Sequence, residues 1–212
     1  LDDGDGWTMV DTGVLDAATK DHWQRILGDR LGGRPLRRIL CTHSHPDHMG
    51  LAGWVAESWG AEMWATGGEW EMGRHFSLRS ADKNLYSAFY RAAGCAEADA
   101  APAVAHIGSA RRLYAPVPEH YRRIVEGETI RMAGHNWTVR IGLGHSVEHA
   151  CLYCESLDLM IGGDQFLPKI TPALVVPIDA PMAMVGISSV WVIAMAIGSI
   201  TPSTTTAKAP AS

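Results

Sequence analysis

Four side chains that bind metal ions or move protons stand within six residues in Thr42-His43-Ser44-His45-Pro46-Asp47-His48. In an extended loop, residues two apart point the same way, so His43 and His45 face one point. As the chain turns into a helix, Asp47 and His48 swing toward a second. Imidazole nitrogens and a carboxylate suit Zn²⁺, with Fe or Mn as alternatives. A catalytic ion takes three protein ligands and leaves a position for water, so the cluster needs partners from elsewhere. Two later segments offer them: Gly144-His145-Ser146 and Gly162-Gly163-Asp164. Taken alone, His145 and Asp164 read as ordinary surface or core residues. The cluster beside them reverses that weighting.

Each of these groups needs an element end to deliver it. Residues 7–10 read as a strand closing at Asp11-Thr12-Gly13, and 16–31 as a helix with Trp23, Ile26, Leu27 and Leu31 on one face. Gly32, Gly33 and Pro35 stop that helix, and residues 38–41 form a short buried strand leading into the cluster. A helix then starts near Pro46 or Asp47, with Leu51, Trp54, Val55 and Trp59 apolar and Gly60 as its terminator. Residues 62–65 return as a strand. Residues 68–126 read as a mainly helical insert over the site, with Leu85, Phe89 and Tyr90 in one stripe and a further short helix after Pro116 and Pro118. Strands return at 129–132 and 137–141 around the turn 133–136, and again at 150–154 and 157–161. Both later ligand candidates fall just beyond strand ends, where sites gather in layered folds. The alternation predicts an α/β fold.

Composition narrows the function classes. A chain of 212 residues, 47% apolar and 19% charged, fits one globular domain. Its formal charge of −5, with no basic stripe, argues against nucleic acid as a partner and leaves a small-molecule substrate; the oligomeric state is open. Cys41, Cys95, Cys151 and Cys154 do not resemble a disulfide framework, and no basic-then-apolar leader follows Leu1, so a cytoplasmic setting is the default. Cys151-x-x-Cys154 reads as packing rather than a zinc ribbon or redox pair. Residues 182–200 are uncharged, but Gly186, Ser188, Ser189 and Gly198 and the missing basic flank disfavour a membrane span. His22, His75, His106, His120 and His135 fall in helical or turn contexts and are expected in solvent.

The ordered set His43-x-His45-x-Asp47-His48, then Gly-His145, then Gly-Asp164 resembles the motifs of the metallo-β-lactamase superfamily over residues 7–172. Val10-Asp11-Thr12-Gly13 matches the short motif that precedes them. Residues 144–149 and 163–168 resemble the glyoxalase-II-like (hydroxyacylglutathione hydrolase-like) branch. The resemblance implies an αββα sandwich with the site at one edge between two sheets. It implies one zinc ion on His43, His45 and His145, and a second on Asp47 and His48 with Asp164 shared. Asp11 would order the metal loop without touching an ion. His149, read from its position alone, is either a hydrogen-bonded support beside the site or a helix-start residue.

By the same resemblance the chain is a metal-dependent hydrolase that uses metal-bound hydroxide to cleave an ester, thioester or lactone, with Asp47 orienting the nucleophile. Tyr86, Tyr90 and Arg91 are candidates for the substrate pocket, and packing of a helix face explains the tyrosines equally well. Relatives place a further histidine on the second ion from the C-terminal half, and none follows His149 here. The chain therefore divides into a domain over 1–176 and a charge-poor tail over 177–212. A truncated or frame-shifted gene is the expected cause, leaving the second sheet incomplete and the second ion weak or absent. Two other readings stand beside hydrolysis: an iron-dependent sulfur dioxygenase on the same fold, and an inactive remnant.

Overall fold

Strands buried on both faces read as short apolar runs flanked by helices, and the first half of the chain follows that pattern. In chain order the elements are β1 (Trp7–Val10), α1 (Ala17–Asp29), β2 (Leu36–Leu40), α2 (Pro46–Met49), α3 (Ala52–Trp59), β3 (Glu62–Ala65), α4 (Gly67–Leu78), α5 (Lys83–Ala92), α6 (Glu97–Ser109) and β4 (Arg122–Arg123). The four strands pair in parallel in the order β1-β2-β3-β4. The second half is an antiparallel meander of β5 (Thr129–Met132), β6 (His135–Gly142), β7 (His149–Cys154) and β8 (Leu159–Ile161). The computed structural model describes residues 1–29, 31–79, 82–167, 169, 170 and 172. The division at 176 and the tail 177–212 lie outside them.

Strand alternation sorts the first sheet's side chains into two cores. Met9, Ile39 and Met63 point to the helices, where Leu27, Met49, Leu51 and Val55 meet them. Their neighbours Val10, Leu40 and Trp64 point the other way, onto Ile130, Met132, Trp137, Val139 and Leu152 of the second sheet. Helix–sheet–sheet layering is thus written into alternate residues of three strands.

The helix expected from Pro46 through Trp59 is split. Leu51 N–H donates to Gly13 O (3.0 Å) and to Thr12 Oγ1 (3.2 Å), so the loop after β1 interrupts the helical ladder. Gly50 makes the approach feasible, since a Cβ there would fall 2.2 Å from Pro46 O and 2.5 Å from Leu113 O. The short helix expected after Pro118 is a second correction. Ala115 N–H bonds Gly50 O, while the Val117 and Pro118 carbonyls accept from Arg74 and Trp70. Neighbouring elements take up these backbone groups, and no helix forms between Pro118 and β4. β6 begins two residues earlier than predicted, because Ala133 (φ 51°) and Gly134 (φ 76°) alone make the hairpin turn. No helix among the described residues is long and apolar enough to cross a membrane.

Candidate metal centre

The cluster loop leaves β2 at its C-terminal end and is held from the adjacent parallel strand by Asp11. Thr42 N–H and Thr42 Oγ1–H donate to the two Asp11 carboxylate oxygens at 2.7 and 2.8 Å, and His48 Nδ1–H donates at 2.8 Å. Asp11 reaches all three from a left-handed backbone (φ 57°). Thr12 supports the far side, its N–H and hydroxyl both donating to His48 O.

Three imidazoles converge inside this frame. His43 is fully buried; its Nε2 lies 3.0 Å from His45 Nδ1 and 3.2 Å from His145 Nε2. The ligand atoms of His43, His45 and His145 all lie within 4.8 Å of one another, as do those of His43, His48 and Asp164. A tetrahedral zinc ion with Zn–N bonds of about 2.0–2.1 Å spaces its nitrogens about 3.3–3.4 Å apart, close to what is seen. Burial pulls the His43 pKa far below the ordinary histidine value, and the neighbouring histidines pull it further. Burial first, then the charge of His145, holds His45 down to about 4. Both therefore stand at neutral pH as free-base imidazoles, the form that ligates a metal. The donor set fits a divalent ion.

His48 behaves oppositely. Burial pulls its pKa down, but the Asp11 hydrogen bond and the charges of Asp11, Asp47 and Asp164 outweigh this and raise it. Its Nε2 lies 3.4 Å from Asp164 and 3.6 Å from Asp47. Asp164 also stands 3.6 Å from His145 Nε2, between the two histidine groups. Asp47 sits at the rim, with 67% of its side chain exposed.

His149 opens β7, stacks on the His43 ring at 4.6 Å and accepts the Asp164 N–H on Nε2 (3.2 Å). Gly163 brings Asp164 in at φ 47°, and a Cβ at Gly163 would lie 2.7 Å from the His149 ring. Burial and the neighbouring histidines hold His149 down to about 3. Cys151 Sγ lies 3.7 Å from its Nδ1, and all four cysteines are free.

The pocket candidates lie on α5, which packs on α6: Tyr86 is buried, Tyr90 is half-buried against Phe89, and Arg91 is exposed. No described contact joins Tyr90 or Arg91 to the histidines. Of the histidines expected in solvent, His22, His106 and His120 are exposed, while His75 and His135 are half-buried against Phe76 and Ser156. Sequence reasoning missed Glu69 and Tyr114. Glu69 accepts from Ser44 N–H, and the Tyr114 hydroxyl donates to Ser44 O at 2.6 Å. Burial, ahead of the Asp47 and Glu69 charges, pushes the Tyr114 pKa well up, so it stays a donor. Nothing in a lone glutamate near a helix start distinguishes it from an ordinary N-terminal acid.

Comparison with known proteins agrees with this geometry. Residues 1–193 match the family model described as the metallo-beta-lactamase superfamily, reaching beyond the motif-bearing stretch 7–172 at both ends. Among solved structures, a beta-lactamase domain protein from Burkholderia ambifaria is 35% identical with a TM-score of 0.65, over 81% of this chain and 49% of that one. A metallo-beta-lactamase family protein from Thermus thermophilus is 25% identical with a TM-score of 0.67, over 83% of this chain and 56% of that one. A third structure, a protein in a di-iron-bound form, shares the fold at 19% identity and a TM-score of 0.53, over 84% of this chain and 71% of that one. The chain spans about half the length of the first two. No curated protein matches it. Its family model, its two-sheet fold and its histidine-rich site agree: the chain belongs to the metallo-beta-lactamase superfamily, whose members are mostly metal-dependent hydrolases.

Proposed function

We propose that this chain is a metal-dependent hydrolase of the glyoxalase-II-like kind, acting on an ester, thioester or lactone in a reducing, cytoplasmic setting. The observation that carries the reading is His43 Nε2 facing His45 and His145 at 3.0 and 3.2 Å, with His43 and His145 buried and His45 half-buried. His43, His45 and His145 would hold one divalent ion, and Asp47 and His48 a second, with Asp164 between the two. Bound there, such ions lower the pKa of water and polarise a carbonyl oxygen.

The chain's own residues do the rest. Asp11 fixes His48 with Nε2 turned inward, since its Nδ1–H is occupied. His149 holds the Asp164 backbone and, stacked on His43, closes that side of the site to water. Asp47, exposed at the rim, is free to accept a hydrogen bond from the attacking water and to carry a proton toward the leaving group. A nucleophilic serine or cysteine is not needed.

Metal analysis of the purified protein, paired with a thioester and lactone panel, tests the reading. His43→Ala or His145→Ala is expected to lose both bound metal and turnover. A metal-free variant with full activity refutes it. The di-iron relative makes iron part of the same assay: bound iron with thiol-dependent oxygen uptake assigns the chain to sulfur oxidation instead.

A further inference from the structure

Two separate loops supply the proposed first metal site, and one buried side chain bridges them. Ser44 lies between His43 and His45, and Glu148 lies in the stretch that runs from His145 to His149. Glu69, in the first turn of α4, is fully buried and spans both. One carboxylate oxygen accepts Ser44 N–H at 2.8 Å, and the other accepts Glu148 N–H at 2.7 Å. Its neighbours reinforce the junction from the same helix end. Thr66 Oγ1–H donates to Glu148 O at 2.8 Å, and Gly68 N–H donates to the Glu148 carboxylate at 2.6 Å. Gly68 also needs its missing side chain, since a Cβ there would sit 3.0 Å from Val147 Cγ2 and 3.1 Å from Glu148 Cγ.

We propose that Glu69 is a positioning residue, a buried carboxylate staple that sets the distance between the His43/His45 loop and the His145 loop and so tunes metal affinity. The inference rests on the metal reading above. Ser44 is gripped at both ends of its backbone, N–H by Glu69 and C=O by Tyr114, so the two histidines that flank it cannot move independently. The buried carboxylate also sets negative charge behind both ligand loops, where a cation bound in front gains from it. A glutamine of the same size keeps one acceptor, but turns an NH₂ donor against the other amide. Aspartate is one methylene too short to reach both.

The test is Co²⁺ titration of the metal-free full chain, followed by the cobalt visible spectrum, for wild type, Glu69→Gln, Glu69→Asp and His43→Ala. Loss of an orienting partner typically weakens metal binding about 10- to 100-fold, and that loss with an altered spectrum is expected for both Glu69 variants. His43→Ala should abolish the signal. If wild type itself shows no tight Co²⁺ binding, the metal reading fails. If wild type binds and Glu69→Gln matches it in affinity and spectrum, the staple fails while the metal reading stands. Should the Glu69 variants not fold, amide exchange in metal-free wild type decides. Slow exchange at Ser44 and Glu148 supports the staple, and fast exchange at both overturns it.

Discussion

Asp11 shows how one side chain can organise a site without occupying it. It accepts three hydrogen bonds from Thr42 and His48, the two ends of the cluster loop. Asp11→Asn keeps the volume but replaces an acceptor oxygen with a donor, so it should weaken metal binding about 10- to 100-fold with the fold retained. Equilibrium dialysis checks the affinity, and circular dichroism checks the fold. The histidines carry a pH signature in the metal-free chain. His45 and His149 are held to about 4 and about 3, below the ordinary 6.5. Under about pH 6.5 the unfolded chain therefore takes up protons that the folded chain refuses. Their contribution is complete above that value and is lost as the pH falls toward the lower folded ones. His48, raised, works the other way: its contribution is present at low pH and fades as pH rises through its folded value. With His43 also depressed, the downward-shifted groups dominate. The metal-free chain's melting temperature should fall between about pH 7 and pH 5, and a rise would overturn this. At this scale the cluster was legible because histidines two apart in an extended loop share a face. Glu69 was not, because its role depends on contacts with residues 25 and 79 positions away.

Elements were legible where periodicity decides them. β1, β3 and β5 fall where apolar runs and turn residues put them, β2 runs Leu36–Leu40 rather than 38–41, and Gly60 ends α3 in the left-handed region (φ 66°). Two of the misses share a cause: tertiary hydrogen bonds overrode local pattern. The 46–59 helix breaks because the loop after β1 captures Leu51 N–H, and 114–121 stays non-helical because neighbouring elements, α4 among them, take backbone groups at its start. Among the described residues, Trp137 on β6 is the largest side chain fully buried between the sheets, and its Nε1–H donates to Met132 O. Trp137→Ala removes that packing, leaves a cavity and strands a carbonyl, so it should destabilise the chain by about 3–5 kcal/mol. Urea unfolding measures it; a change under about 1 kcal/mol would mean the sheets do not share this core.

Across the whole molecule, the parallel sheet carries the cluster at the C-terminal ends of its strands, while charge pairs gather at the opposite end. Asp3 there meets Arg38, Thr8 and Ala133 N–H, and Arg34 forks onto Asp2, tying the first residues to both sheets. Hydrogen bonds from Arg34 and Gly4 hold Asp2 down to about 2. The α/β class could be read from strand–helix alternation, while the two-sheet sandwich was legible only through the resemblance that the motifs carry. The resemblance also named the 144–146 and 162–164 segments as partners of the cluster loop, but the contacts of Glu69 and Tyr114 with Ser44 were not legible, since they depend on how α4 and the segment before β4 pack. Function stands or falls on the imidazoles of residues 43, 45 and 145 sharing one ion. X-ray absorption on the zinc-loaded full chain reads that bond set: nitrogen and oxygen neighbours at about 2.0–2.1 Å are expected, with the multiple-scattering pattern of several imidazoles. A sulfur shell at about 2.3 Å, or a spectrum lacking imidazole scattering, would refute the shared ion.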